Sequence, residues 1–280
     1  VNTYALTGKR VLFKRGDTWT EGAKTTSIVS VGPGYIGAYG VGAMPIISAT
    51  GDYNMLVFSA SDWRAVDLEF NGQNHIARAV TNSGVDQITF LRLNVHNVNS
   101  AFTTNNFTPL SDQFTIQDSS LLTVDSGVPT AGGIGAWIFA QRFSFQGNSM
   151  DVSGGGEHVL RFPLLQKAIV SNNILSNPPP TKQFIKLHEA NGFGSAAAVW
   201  AGYYTEKVVI ADNLFAGTRG TDWAVTIAPQ NNSDDERLRD IIVERNWFKP
   251  KLGQSVAIMV NAVNVTVRNN IADMTMGAVY

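Results

Sequence analysis

At 280 residues the chain lies at the upper end of what one compact core fills, and its composition narrows the choice of architecture. Charged residues make up only 15%, hydrophobic ones 44%, and the 26 Gly and 23 Asn favour turns and strands over helices. A formal net charge of −1, from 21 Lys+Arg against 22 Asp+Glu, argues against a general nucleic-acid or anionic-membrane partner. Cysteine is absent, which excludes disulfides, zinc–thiolate sites and a Cys nucleophile. The longest uncharged stretch, Val31 to Gly51, is broken by glycines and prolines and is no membrane helix. The chain opens on Val1 without a basic segment and apolar run, so no signal peptide is expected within it.

The first strand-like stretches are Phe13-Lys-Arg-Gly-Asp-Thr-Trp19 and Tyr39-Gly-Val-Gly-Ala-Met-Pro-Ile-Ile47. Gly32-Pro-Gly-Tyr-Ile-Gly37, between them, matches the dinucleotide-binding glycine fingerprint, but Pro33, Gly40 and Gly42 predict turn-rich β structure with no helix following. Further on, a pattern of alternating apolar residues followed by Asn or Asp keeps returning. A loose copy ends at Asn94 and another at Asp118. Closer copies are Phe143-Ser-Phe-Gln-Gly-Asn148, Ala168-Ile-Val-Ser-Asn-Asn173, Val208-Val-Ile-Ala-Asp-Asn213, Ile241-Ile-Val-Glu-Arg-Asn246 and Val265-Thr-Val-Arg-Asn-Asn270. The last four Asn follow their predecessors by 25, 40, 33 and 24 residues, one bare unit with insertions in the longer cases.

Period-2 alternation predicts strands, and Asn after a strand suits a bend because it tolerates the left-handed region. A unit of this length without helical periodicity is that of a parallel β-solenoid, in which the Asn amides stack into an internal ladder. A second strand precedes each Asn strand: His158–Pro163, Phe184–Glu189, Ala224–Pro229 and Val256–Asn261. Overlaid, Leu160, Ile185, Val225 and Ile258 form one inward column, and Phe162, Leu187, Ile227 and Val260 the next. Insertions such as Ala190–Glu206 and Asn231–Arg239 fall after this second strand, which predicts a groove on that side.

The opening segments and the Asn strands resemble those of secreted right-handed parallel β-helix proteins of the pectate-lyase-like superfamily. The resemblance covers most of the chain and implies an extracellular, bacterial, carbohydrate-active protein. That superfamily holds lyases, hydrolases, epimerases and phage tailspikes, so it implies the fold more sharply than the reaction.

The overlay also places side chains on the outside. Arg161, Lys186 and Thr226 share an outward column, with Trp137 one coil before Arg161 and with His188 and Ala228 in the next column. Two stacked cations repel unless an anion lies over them, which points to an acidic polysaccharide. The matching chemistry is β-elimination at a uronate: a base removes the proton beside the carboxylate, and cations stabilise the charge that develops. Lys186 is one candidate base, since a neighbouring cation such as Arg161 favours the neutral amine, and His188 is the other. The resemblance implies a Lys and an Arg on neighbouring coils, often with calcium, but no full calcium constellation is matched; Glu157 and Glu189 are the candidate ligands. Trp137, His158, Tyr203, Gln230 and Asn231 are candidate substrate contacts, with Trp200 and Tyr204 further aromatics in the longest insertion.

The expected architecture is an all-β, right-handed parallel β-helix of roughly 8–10 coils at about 25 residues each, one domain over 1–280, lacking terminal coils. The expected function is a polysaccharide lyase. The alternatives are a glycoside hydrolase using Glu157, Glu189 or the Asp234–Glu236 cluster, and a non-catalytic glycan-binding or adhesin module. The expected partner is an acidic polysaccharide, with no nucleic acid and no membrane insertion, bound by a secreted monomer. A zinc site is not expected, because the four His lack ligand spacing. The glycosylation patterns at Asn106, Asn231 and Asn264 matter only in a eukaryotic secretory route.

Overall fold

The computed structural model of the chain describes residues 1, 3–20, 25–105, 110–124, 133–188, 203–217, 223–229, 238–250 and 257–273. Among the described residues there is no helix, and every strand pairing is parallel. One turn runs through Asn54–Phe58, Trp63–Val66 and Glu69–Asn71. The next repeats that path one rung further on, through Arg78–Asn82, Ile88–Leu91 and Asn94–Val98. Leu56 thus pairs with Val80, Ala65 with Phe90 and Phe70 with Val95. These successive strands define a first, a second and a third wall. The first two belong to one 17-stranded sheet and the third to a 10-stranded sheet. The molecule is a right-handed parallel β-helix, the hand that twisted strands impose on parallel crossovers.

The core is a set of inward columns, one residue per rung. Leu160, Ile185, Val225 and Ile258 pair in sequence on the first wall, as do Phe162, Leu187, Ile227 and Val260. Phenylalanines fill the interior in contact chains: Phe90, Phe114, Phe143 and Phe162 follow one another at centroid distances of 5.3, 5.4 and 5.6 Å. Phe215 and Phe248 lie parallel at 4.6 Å. The supposed dinucleotide fingerprint contains strand Gly34–Tyr39. Gly34 is required there by packing, because an added Cβ would sit 2.4 Å from the buried Trp63 ring.

The Asn ladder is present and its chemistry is directional. Asn173 donates from its backbone N and its Nδ2 to Asn213 Oδ1, at 3.0 and 2.9 Å, while Nδ2 also donates back to the Phe145 carbonyl. Asn148, Asn213 and Asn246 repeat the pattern toward Asn173, Asn246 and Asn270. Each side-chain amide therefore satisfies an N–H and a carbonyl of the preceding rung, and its oxygen and nitrogen link it to the amides on either side.

Two details differ from the sequence reading. The two loose copies are shifted by one residue. Ser119, not Asp118, occupies the ladder column and bonds to Asn148, and Leu93, not Asn94, precedes it. The left-handed residue is also not the ladder Asn but the one before it. Asp67, Arg92, Asp118, Asn172, Asp212, Arg245 and Asn269 all have φ between 49° and 58°, and Gly147 takes the same place at 70°. The ladder Asn is chosen for its self-complementary amide, and its neighbour makes the bend.

Replacing Asn213 by Ala removes an acceptor from Asn173 and leaves buried donors unmet, so it is expected to destabilise by about 3 kcal/mol. Asn270, only half-buried on the last described rung, is expected to lose less than about 1 kcal/mol on the same change. Urea-unfolding midpoints of the two variants check the ranking.

Candidate functional site

The outward face of the first wall carries the expected column. Thr81, Thr103, Trp137, Arg161, Lys186 and Thr226 are paired rung by rung. Rungs stand about 4.8 Å apart, so Arg161 and Lys186 are immediate neighbours. Arg161 lies over the Trp137 ring at 4.9 Å and its side chain is only 13% exposed. Its Nε donates to His188 Nε2 at 3.1 Å, and its Nη1 is 3.7 Å from Glu157 Oε2. Burial pulls the Arg161 pKa below its usual value, and Glu157 opposes that pull. Glu157 in turn accepts from Lys182 Nζ at 3.1 Å.

Both imidazoles here are buried. His188 has no exposed surface, and the lone pair it presents to this face accepts from Arg161. That lone pair is the one a general base would use, so the geometry suits His188 to orienting Arg161. His158, expected as a substrate contact, is 3% exposed and accepts the Gln183 backbone N–H at Nδ1. Its proton therefore sits on Nε2, 3.6 Å from Glu157 Oε2. Burial first, then the charges of Lys186, Arg161 and Lys182, push its pKa down to about 2. His158 is a neutral support for Glu157, and its burial takes it out of direct reach of a substrate.

Two buried oxygens in this cluster, Glu157 Oε2 and Thr226 Oγ1, have no hydrogen-bond partner among the described residues. Unsatisfied buried polar atoms are uncommon and concentrate where a ligand or water is handled. Tyr203 is 41% exposed, while its neighbour Tyr204 is held under Arg239 at 4.0 Å. Gln230, Asn231, Glu189, Trp200 and the Asp234–Glu236 cluster lie outside the described residues.

The insertions on the predicted side of the first wall lie largely outside the described residues, and among those described a hollow is found at the other edge. This hollow of about 610 Å³ runs along the corner between the third and first walls, lined by Asp52, Tyr53, Arg78, Ser100, Trp137 and Glu157 among others. Long connections precede first-wall strands as well as follow them, for instance between Ser120–Val124 and Ile134–Gln146. Arg78, held by Asn105 Oδ1 at 2.7 Å, and Lys182 went unremarked in the sequence. Lys182 was within reach of the overlay, since it stands three residues before Ile185 as Glu157 does before Leu160. Arg78 lies on a coil without a ladder Asn, where no alignment signal exists.

The buried neutral His158 makes stability depend on pH. In the unfolded chain it titrates near 6.5 and in the fold at about 2, so protons bind the unfolded chain first as pH falls. Its contribution is full above pH 6.5 and is lost progressively below it. Between pH 7 and pH 5 the wild type is expected to lose about 2 kcal/mol more than His158→Gln, read from urea unfolding at each pH.

No protein-family model matches the sequence, and no curated protein sequence matches it. Solved structures do. An alginate lyase from Paenibacillus sp. is 13% identical, with a TM-score of 0.69 over 100% of this chain and 93% of its own. The tailspike protein of E. coli bacteriophage HK620, a D339N mutant in complex with a pentasaccharide, gives 12% identity and a TM-score of 0.59, with 97% of this chain covering 58% of that one. A GH136 lacto-N-biosidase from Eubacterium ramulus gives 11% and 0.50, with 98% of this chain covering 62% of that one. At these identities the likeness is one of architecture: the chain shares the right-handed parallel β-helix fold of these proteins.

Proposed function

We propose that this chain is a carbohydrate-active protein that cleaves a uronate-containing polysaccharide by β-elimination on its first wall. The observation that carries this reading is the in-register pair Arg161 and Lys186, with Arg161 fixed by His188 and by Trp137, a residue that lines the corner hollow. Lys186, half-exposed, takes the proton next to the uronate carboxylate as a neutral amine. The C–H electron pair forms the ring double bond as the glycosidic C–O bond at the adjacent carbon breaks, and the leaving oxygen is protonated from water. Negative charge builds on the carboxylate during proton removal, and the pre-set Arg161 cation stabilises it without reorganising. The shared fold of the alginate lyase over nearly the whole of both chains supports the same choice. A polymeric substrate of this kind also fits an extracellular setting.

Calcium is not needed for this scheme, and Glu157 is a poor ligand for it. Lys182 is bound to one of its oxygens and Arg161 lies near the other, so a divalent cation would be repelled. Glu157 instead holds the cation cluster together.

Incubation with a panel of polyuronates is expected to produce the ultraviolet absorbance of an unsaturated uronate. Lys186→Ala and Arg161→Ala are each expected to lower that rate by about a hundredfold or more, with unfolding midpoints showing that the fold persists. New reducing ends without the absorbance would assign hydrolysis instead. Near-wild-type rates in Lys186→Ala would remove the base from this position.

A further inference from the structure

The second wall carries a feature unrelated to the first-wall site. Three hollows of about 550, 470 and 390 Å³ follow one another along its outer face. Arg64 lines both the first and the second, and Gln113 and Thr115 line both the second and the third. They form one trough from the rung of Arg10–Lys14 to that of Thr205–Ala211, eight rungs or about 34 Å at the usual spacing.

The trough is lined by six cations, Lys9, Arg10, Arg64, Arg142, Lys167 and Lys207, of which Arg64 is paired with Asp62 at 2.8 Å. Three of the cations stack. Arg142 pairs with Lys167, and Lys167 and Lys207 directly precede the paired Ala168 and Val208. Arg142 is held by Asp112 and Lys207 by Glu206, whereas Lys9, Arg10 and Lys167 form no ion pair with the described residues. Beside the stack the floor is apolar, with Ile169 37% exposed and Val209 on the next rung. The hydroxyls of Thr115 and Ser144 continue the same column.

We propose that this trough is a second binding track for an acidic polysaccharide, separate from the first-wall site. A sugar ring offers an apolar C–H face to Ile169 and Val209, hydroxyls to Thr115 and Ser144, and carboxylates to the stacked cations at intervals of one rung. A nucleic acid fits less well, because the phenylalanines of the cation-rich hollow, Phe114 and Phe143, are buried and offer no stacking surface to a base. Only the class of ligand rests on the reading above; the track itself does not. A polymer held on the second wall raises the local concentration of substrate at the first.

The test measures binding of a polyuronate of about twenty sugars by titration calorimetry, in a Lys186→Ala background that removes cleavage. Lys167→Glu in that background is expected to weaken binding at least fivefold, with the effect shrinking at high salt, and a neutral dextran is expected not to bind. Unchanged affinity in Lys167→Glu would overturn the track, as would displacement of the polyuronate by duplex DNA at equal charge concentration. In the otherwise wild-type chain, Lys167→Glu is expected to slow cleavage of the polymer and leave that of a trisaccharide unchanged. If no uronate is cleaved at all, the first-wall reading fails, and the calorimetry still decides the second-wall one.

Discussion

Each residue in this molecule stands about 4.8 Å above or below its counterpart on the next rung, and that spacing governs the rest of the structure. A column is stable when its members are complementary to themselves or to each other. Asparagine meets this condition with one side chain, accepting at Oδ1 and donating at Nδ2, so Asn148 to Asn270 form an unbroken chain of buried amides. Phenylalanine meets it by ring contact, and Ile, Val and Leu by close packing.

Charged columns obey the same constraint by alternating sign. Asp67 receives Arg92 at 2.6 Å, Glu206 receives Arg239 at 2.7 Å, Asp212 receives Arg245 at 2.8 Å and Glu244 receives Arg268 at 2.6 Å. In each case the partner comes from a neighbouring rung. Arg245, held by both Asp212 and Glu244, is raised well above the usual arginine range. Isolated surface pairs contribute little, but here each one joins consecutive turns of a chain whose turns contact only their neighbours. Against that background the in-register pairs Arg161 with Lys186 and Arg142 with Lys167 depart from the alternation. A scaffold selected only for stacking would alternate them as it does elsewhere. The second pair lines a hollow, and Arg161 of the first lies against Trp137, which lines another.

Most of the fold was legible in the sequence because the solenoid repeats one chemical solution. The returning Asn and the inward columns at Leu160 and Phe162 were readable without coordinates, and so was the Arg161–Lys186 pairing. Legibility ended where identity stops determining geometry. The bend column accepts Asp, Arg, Asn and Gly alike, since each reaches a φ near 50–70° at that place, so no residue type marks it. Early coils hold Leu93 and Ser119 where later ones hold Asn, and alignment by Asn alone slipped by one. Depth was also hidden. His188 read as a surface histidine from strand alternation and His158 as part of the approach to its strand, yet both are buried. The corner groove joins Asp52, Arg78 and Glu157 from separate coils, and no local pattern announces such a meeting.

The burial of the two histidines bears on how the first-wall site holds its charge. A stack of Arg161 and Lys186 with Lys182 nearby cannot admit another cation, and the low pKa of His158 follows from that crowding as well as from its burial. Imidazole kept neutral still offers one donor and one acceptor, so it orients charged neighbours without adding to their repulsion. His158 faces Glu157 from the side opposite its backbone contact, and His188 holds Arg161 through Nε2. The His188 hydrogen bond fixes the direction of a charge that a lone ion pair would leave free to swing. His158 therefore stays neutral through the range where free histidines titrate, while Arg161 is held by Trp137 and His188, and the half-exposed Lys186 is the group left for the proton transfer proposed above.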